Sequence, residues 1–275
     1  MKKNNKLLGR LIGLLLLQTS CAFAMTLNSQ HAIVVNDQTG VVMMSKDAEV
    51  PVPIASLTKL MTAMVILDSK PKMDERISIE DGDVDTLKHS MSHVRVGTSL
   101  DRNSVLHLAL MSSDNRAAAA LARTYVGGLA AFVQAVHAKI KALGLSQTTI
   151  DEPTGLSPGN RSTASDLAKM AAAAATYPEI RDITTNRSEL FRMNGRNVAF
   201  HNTNRLVGAS GWDVLMSKTG FTNEAGHCLI MKIKQAGQSA TLVLLNSRAV
   251  TSSVFDASKI RQLLNHPIDT GRRSQ

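Results

Sequence analysis

Apolar positions along this chain recur first at strand spacing, then at helix spacing, then at strand spacing again. Residues 32–35 and 41–44 are short apolar runs on either side of Asn36-Asp-Gln-Thr-Gly40, and they read as two strands joined by a turn. Leu57, Leu60, Met61, Met64, Val65 and Leu67 fall at helical spacing, which predicts a buried helix with Ser56 near its first turn. Pro51 and Pro53 hold the approach to that helix extended. From about residue 71 to 194 the texture is helical and Ala-rich, with helices expected over 106–111, 117–125, 130–143 and 166–175. Asp166 follows a Ser/Thr run, which suits a helix start. Strands return at 214–217, 227–233 and 240–245, with Gln235-Ala-Gly-Gln238 as a hairpin turn, and a helix over 254–264 closes the chain. The economical architecture is α/β of the α+β kind: an antiparallel sheet from the two ends, flanked by helices, with a helical lobe inserted between them. That gives one domain over 25–275, with a sheet-and-helix lobe (25–70 and 195–275) and a helical lobe (71–194).

The first 24 residues are expected to lie outside that fold. Lys2, Lys3, Lys6 and Arg10 precede an apolar run over 11–17, and Ala22-Phe-Ala24 offers a small-x-small cleavage site, so the stretch reads as a cleaved export signal. The run is too short to span a bilayer, so a periplasmic chain with no transmembrane anchor is expected. Cys21 invites a lipoprotein reading, but polar Gln18 three places before it is wrong for a lipid-attachment sequence. Loss of this leader takes four positive charges from a formal excess of +9. The basic remainder suits an anionic polymer such as a cell wall. Cys228 would then be the single cysteine, and its apolar surroundings mark it as core. Aromatic residues make up 3% of the chain, which argues against stacking platforms for nucleic acid.

Candidate chemistry comes from three short words in one order. Ser56-Leu-Thr-Lys59 places an amine one helical turn from a hydroxyl, so the two share a helix face. A second Ser-x-x-Lys, Ser69 to Lys72, contains Pro71, which disfavours a helical turn. Ser113-Asp-Asn115 falls between two helical stretches and reads as a connecting loop that can also cap a helix. Lys218-Thr-Gly220 ends one strand-like run and precedes another. Singly, each word has an ordinary structural explanation. Together they are the inventory of an acyl-transfer site that uses lysine where other serine hydrolases use histidine.

With these words the chain resembles the low-molecular-mass penicillin-binding proteins, serine DD-peptidases related to class A β-lactamases. Pro153-Thr-Gly-Leu156, the stretch 162–168, Asn202-Thr-Asn204 and Ala225-Gly226 are also similar to family stretches. The resemblance implies that Ser56 attacks a D-alanyl carbonyl, with neutral Lys59 taking its proton and cationic Lys218 disfavouring a charge on Lys59. It further implies that Ser113 relays a proton to the leaving amine and that Asn115 holds the substrate amide. Lys218 and Thr219 would bind the anionic end, Gly220 would let substrate backbone approach, and the N–H groups of Ser56 and Phe221 would hold the oxyanion. No cofactor and no metal is implied. Expected partners are peptidoglycan stem peptides with their cross-links, and β-lactams. The short chain resembles the soluble periplasmic endopeptidases of this family, which cut cross-links; trimming of terminal D-alanine by a carboxypeptidase is the alternative.

Other readings are weaker on particular residues. A class A β-lactamase needs a Glu-x-x-x-Asn arrangement, but Leu156, Ile183 and Met193 stand four residues after Glu152, Glu179 and Glu189. A β-lactam sensor would join a membrane-spanning signalling segment. A zinc site at His89 and His93 lacks His-Glu-x-x-His. Arg248, after the last strand, could reach a substrate carboxylate but reads first as a solvent-facing arginine, and Asp114 reads as a loop hydrogen-bonding residue.

Overall fold

The computed structural model describes residues 26–265, so the expected leader and Cys21 lie outside it. Strands β1 (His31–Asn36) and β2 (Val42–Lys46) form the first hairpin. A short strand β3 (Val52–Pro53) leads through a 3-10 turn, Ala55–Leu57, into α1 (Thr58–Asp68). Strands β4 (Arg76–Ser78) and β5 (Ser99–Asp101) pair across a long loop and precede α2 (Arg102–Met111), α3 (Asn115–Arg123) and α4 (Gly128–Ala142). After β6 (Arg161–Ser162) come α5 (Ala164–Ala174), α6 (Pro178–Thr185) and the hairpin β7 (Ser188–Met193) and β8 (Arg196–His201). Three long strands, β9 (Asp213–Thr222), β10 (Gly226–Gln235) and β11 (Gln238–Ser247), lead to α7 (Val250–Leu263).

The two ends of the chain meet in one five-stranded sheet, ordered β2-β1-β11-β10-β9 and antiparallel throughout. Its central strands are covered on both faces. Cys228 and Ile230 of β10 join the core shared with α1 and α5, while Leu229, Met231 and Ile233 join the core under α7. β11 divides the same way, Val243 and Leu245 against Leu242 and Leu244. Burial on both faces is why these strands read as continuous apolar runs. Helix α1 is likewise buried all round from Thr58 to Ile66. It packs against α2, α3, α4 and α5, as an apolar helix without a solvent face must. Asp101, Asp114 and Thr163 cap α2, α3 and α5 through their side chains. No single helix among the described residues is long and apolar enough to cross a membrane.

The elements depart from the sequence reading in several places: the short strands β3, β4, β5 and β6 were not expected, and three further differences have a plain cause. Strand β9 runs on through Lys218-Thr-Gly220 to Thr222 because the ladder to β10 continues, pairing Gly220 with Cys228 and Phe221 with His227. The hairpin β7–β8 was not expected, since Leu190 is exposed while Phe191 and Met193 are buried, which blurs the alternation. Helix α6 is only eight residues long and opens on Pro178, too short for a periodic signal.

Candidate active site

Ser56 lies in the 3-10 turn that opens α1. The preceding Ala55 has φ +46°, a left-handed conformation that costs an L-residue roughly 1–2 kcal/mol. Two glycines hold the turn from opposite sides. A Cβ on Gly155 (φ +85°) would lie 1.9 Å from the Ala55 carbonyl oxygen, and one on Gly220 would lie 2.9 Å from the Ser56 nitrogen. The loop at 155 and the edge strand β9 therefore close on the Ser56 peptide in a way no larger residue permits.

The Lys59 ammonium, 1% exposed, donates to Ser56 Oγ (2.8 Å), Asn115 Oδ1 (2.7 Å) and the Thr154 carbonyl (2.7 Å). Three N–H groups meet three acceptors. Asn115 is held in that orientation because its Nδ2 donates to Ser90 Oγ at 2.8 Å. Loss of one proton from Lys59 has a single compatible outcome. The two carbonyl oxygens can only accept, so they keep the two remaining N–H groups. The lone pair then falls to Ser56, whose hydroxyl can turn and donate to it.

Glu152 anchors the loop that supplies the Thr154 carbonyl. Its carboxylate accepts from the backbone N–H groups of Thr154 (2.7 Å), Gly155 (2.6 Å) and Ser157 (3.3 Å), from Thr154 Oγ1 (2.5 Å) and from Asn160 Nδ2 (2.9 Å). A carboxylate so fully engaged is a clamp rather than a water-activating base. The sequence reading weighed Glu152 only as such a base. An acid directly before Pro153-Thr-Gly155 was the available sign of a loop clamp.

Ser113 and Lys218 meet from opposite sides of the cleft, Lys218 Nζ donating to Ser113 Oγ (2.8 Å) and to the Thr219 carbonyl (2.9 Å). Ser113 itself is left-handed, φ +60°, at the junction of α2 and α3. Asp114 receives Ala117 N (2.9 Å) and Ser92 Oγ (2.6 Å), which makes it the loop hydrogen-bonding residue expected. Thr219 Oγ1 lies 2.5 Å from Thr203 Oγ1. Ser56, Ser113, Asn115, Thr219, Gly220 and Phe221 line one cavity of about 400 Å³, joined there by Thr203, Arg205 and His227. Arg248 is exposed and does not line it. His89 and His93 are exposed on a loop, and Cys228 is buried, its thiol pushed up to about 11 by burial.

Burial dominates the electrostatics. It lowers Lys59 to about 8, an effect opposed by the negative charges of Glu152 and Asp114. Burial also drives Lys218 well below the usual lysine range, and the neighbouring Lys59 lowers it further. The two buried amines disfavour each other's charge, as expected of two neighbouring cations, while Glu152 and Asp114 favour the charge on Lys59.

Comparison with known proteins gives the family and the fold. The profile of the D-alanyl-D-alanine carboxypeptidase family matches residues 18–249. A D-alanyl-D-alanine endopeptidase of Pseudomonas aeruginosa is 44% identical over 240 residues, covering 86% of this chain and 77% of that protein. One of Escherichia coli is 41% identical over 246 residues, covering 89% and 78%. The crystal structure of a Streptomyces DD-transpeptidase superposes with a TM-score of 0.80 at 26% identity, covering 86% of this chain and 97% of that one. A serine one turn from a buried lysine and a second hydroxyl bonded to a strand lysine thus occur in a chain that belongs to the D-alanyl-D-alanine carboxypeptidase family of serine peptidases.

Proposed function

We propose that the chain is a periplasmic D-alanyl-D-alanine endopeptidase that hydrolyses the DD-cross-links of peptidoglycan through an acyl-enzyme on Ser56. The observation that carries the chemistry is the Lys59 amine, buried, lowered to about 8, and bonded to Ser56 Oγ with its other two partners unable to donate. Ser56 Oγ attacks the D-alanyl carbonyl as its proton passes to neutral Lys59. Backbone N–H groups of Ser56 and Phe221 receive the oxyanion, a contribution worth about 10²–10³ in rate for one such donor. The carbon–nitrogen bond breaks and the departing amine gains a proton through Ser113, which is bonded to Lys218. Water then attacks the ester, releasing the donor peptide and restoring Ser56. Asn115 gives its carbonyl to Lys59 and one N–H to Ser90, which leaves one N–H for a substrate carbonyl.

The endopeptidase reading is supported by the names of two relatives above 40% identity and by the cavity of about 400 Å³ at Ser56, lined from Thr203 and Arg205 to β9 and β10, where a leaving group larger than one residue has room. Export through the residue 1–24 leader and a single catalytic domain over 25–275 belong to the same proposal. Carboxypeptidase, the activity for which the family is named, is the second reading. Digestion of purified cross-linked wall peptides, with products weighed by mass spectrometry, separates them. Monomeric stem peptides are expected; trimmed D-alanine with cross-links intact overturns the endopeptidase. Fluorescent penicillin should label the protein once, and the Ser56→Ala variant should not be labelled. No carboxylate lines the Ser56 cavity and Glu152 is fully engaged, so the penicillin adduct is expected to persist.

A further inference from the structure

The segment after β8 gives the cleft a cation that no step above uses. Its backbone is fixed tightly. Asn202 Nδ2 donates to the carbonyls of Thr184 and Asn186 (both 3.0 Å), and Thr203 N donates to the Met111 carbonyl (3.1 Å). Asn204 Nδ2 donates to Ser217 Oγ on β9 (2.7 Å), while Asn204 Oδ1 accepts from Leu206 N (3.0 Å). Leu206 is buried in the core under α7. Between the buried Asn204 and Leu206, Arg205 is exposed, lines the cavity that holds Ser56, and has no ion-pair or hydrogen-bond partner among the described residues. That cavity has no aspartate or glutamate in its lining to satisfy it.

Where the leaving group lies follows from the contacts already described. The hydroxyl that protonates the departing amine, Ser113, is bonded to Lys218, and the next residue, Thr219, touches Thr203. Thr219, Thr203 and Arg205 line the same cavity as Ser113, so a chain attached to that amine lies in a cavity that Arg205 shares. We infer that Arg205 is a specificity-determining residue that binds a carboxylate on the second, leaving-side stem peptide of a cross-link. This inference rests on the endopeptidase reading and gives that reading its substrate contact. A guanidinium on a rigid loop loses little freedom on binding and can hold a carboxylate through two parallel N–H donors. A single released D-alanine has one carboxylate, the group that Lys218 and Thr219 are expected to bind, and so offers no second one to Arg205.

The test is steady-state kinetics on a purified cross-linked stem-peptide dimer, with the C-terminal carboxylate of the leaving-side peptide either free or amidated. For the wild-type chain, amidation should raise KM about tenfold with kcat little changed, the size of one exposed charge-assisted hydrogen bond. Arg205→Gln should raise KM for the free dimer to a similar degree and respond less than twofold to amidation, and Arg205→Lys should recover part of the discrimination. An exposed, unpartnered side chain should not disturb the fold when replaced, and a melting curve of each variant checks that. Equal sensitivity to amidation in wild type and Arg205→Gln overturns the inference, and so does indifference in both, even if the cross-link is cleaved. If wild type leaves the cross-link intact and removes only terminal D-alanine, the endopeptidase reading fails and takes the inference with it.

Discussion

At the floor of the cleft Lys59 and Lys218 are each 1% exposed and bonded to acceptors from the protein, whereas at its rim Phe221 is 54% exposed and Arg205 has no partner among the described residues. The floor is built by removing water. Desolvation lowers both amines, and the carbonyls around Lys59 decide which atom receives its lone pair. The rim is left unsatisfied, as a surface must be if substrate is to supply the missing partners. Changes at the floor should therefore alter rate and pH dependence, and changes at the rim should alter which substrate is held.

The largest effect should come from Lys59→Arg, which keeps the charge but cannot become neutral. Acylation by penicillin should fall by about 10²–10⁴, the usual worth of a positioned base. Ordinary acylation in stopped-flow labelling would remove Lys59 from the base role. Next comes Gly155→Ala, whose Cβ would drive into the Ala55 carbonyl and displace the Ser56 turn. A loss near 10²-fold is expected, as for an ångström-scale misplacement of a reacting group. Gly40→Ala is the control, since Gly40 has the same left-handed backbone (φ +71°) in open space. It should keep its acylation rate, and if both variants lose activity alike, backbone strain rather than the contact at Ser56 is responsible.

Glu152→Gln should act on both the loop and the lysine. Loss of some clamp hydrogen bonds should slow acylation about tenfold, the scale of one charge-assisted bond. The sign of the pH effect follows from charge. Glu152 raises the Lys59 value, so neutralising it lowers that value further, and the acid limb of the pH–rate profile should move to lower pH. A slower enzyme with an unmoved profile would leave Glu152 a purely structural part. Smallest is Phe221→Ala. Phe221 stacks on His227 at 4.4 Å but is half exposed, so stability should change by no more than about 0.5 kcal/mol while KM shifts a few-fold. A large fall in melting temperature would mean that the rim supports the fold.

The floor was more legible in the sequence than the rim, and the reason is local geometry. Ser56 and Lys59 lie one helical turn apart, and Lys218-Thr-Gly220 lies on a strand, so short-range spacing already aims those side chains. One sheet built from the two ends of the chain could be expected because both ends carry short apolar runs of strand type. Spacing could not supply the long-range contacts. Glu152 clamps a loop beneath Ser56 from almost a hundred positions away, and Arg205 reaches the cavity only because Asn202 and Asn204 fasten their segment to other elements. Arg248 was the arginine within sequence reach of the sheet end, yet it is Arg205 that lines the cavity. The extension of β9 past Ser217 was hidden for a similar reason: pairing with β10, not the polarity of Lys218 and Gly220, determines where the strand ends.

The most direct test of the account is the pH dependence of the second-order rate of penicillin acylation in the wild-type protein. A base lowered to about 8 and required in its neutral form predicts a rate that climbs roughly tenfold per pH unit below that value and levels off above it. A rate that stays flat from about pH 6 to pH 9 would contradict a neutral Lys59 as the group that takes the proton from Ser56.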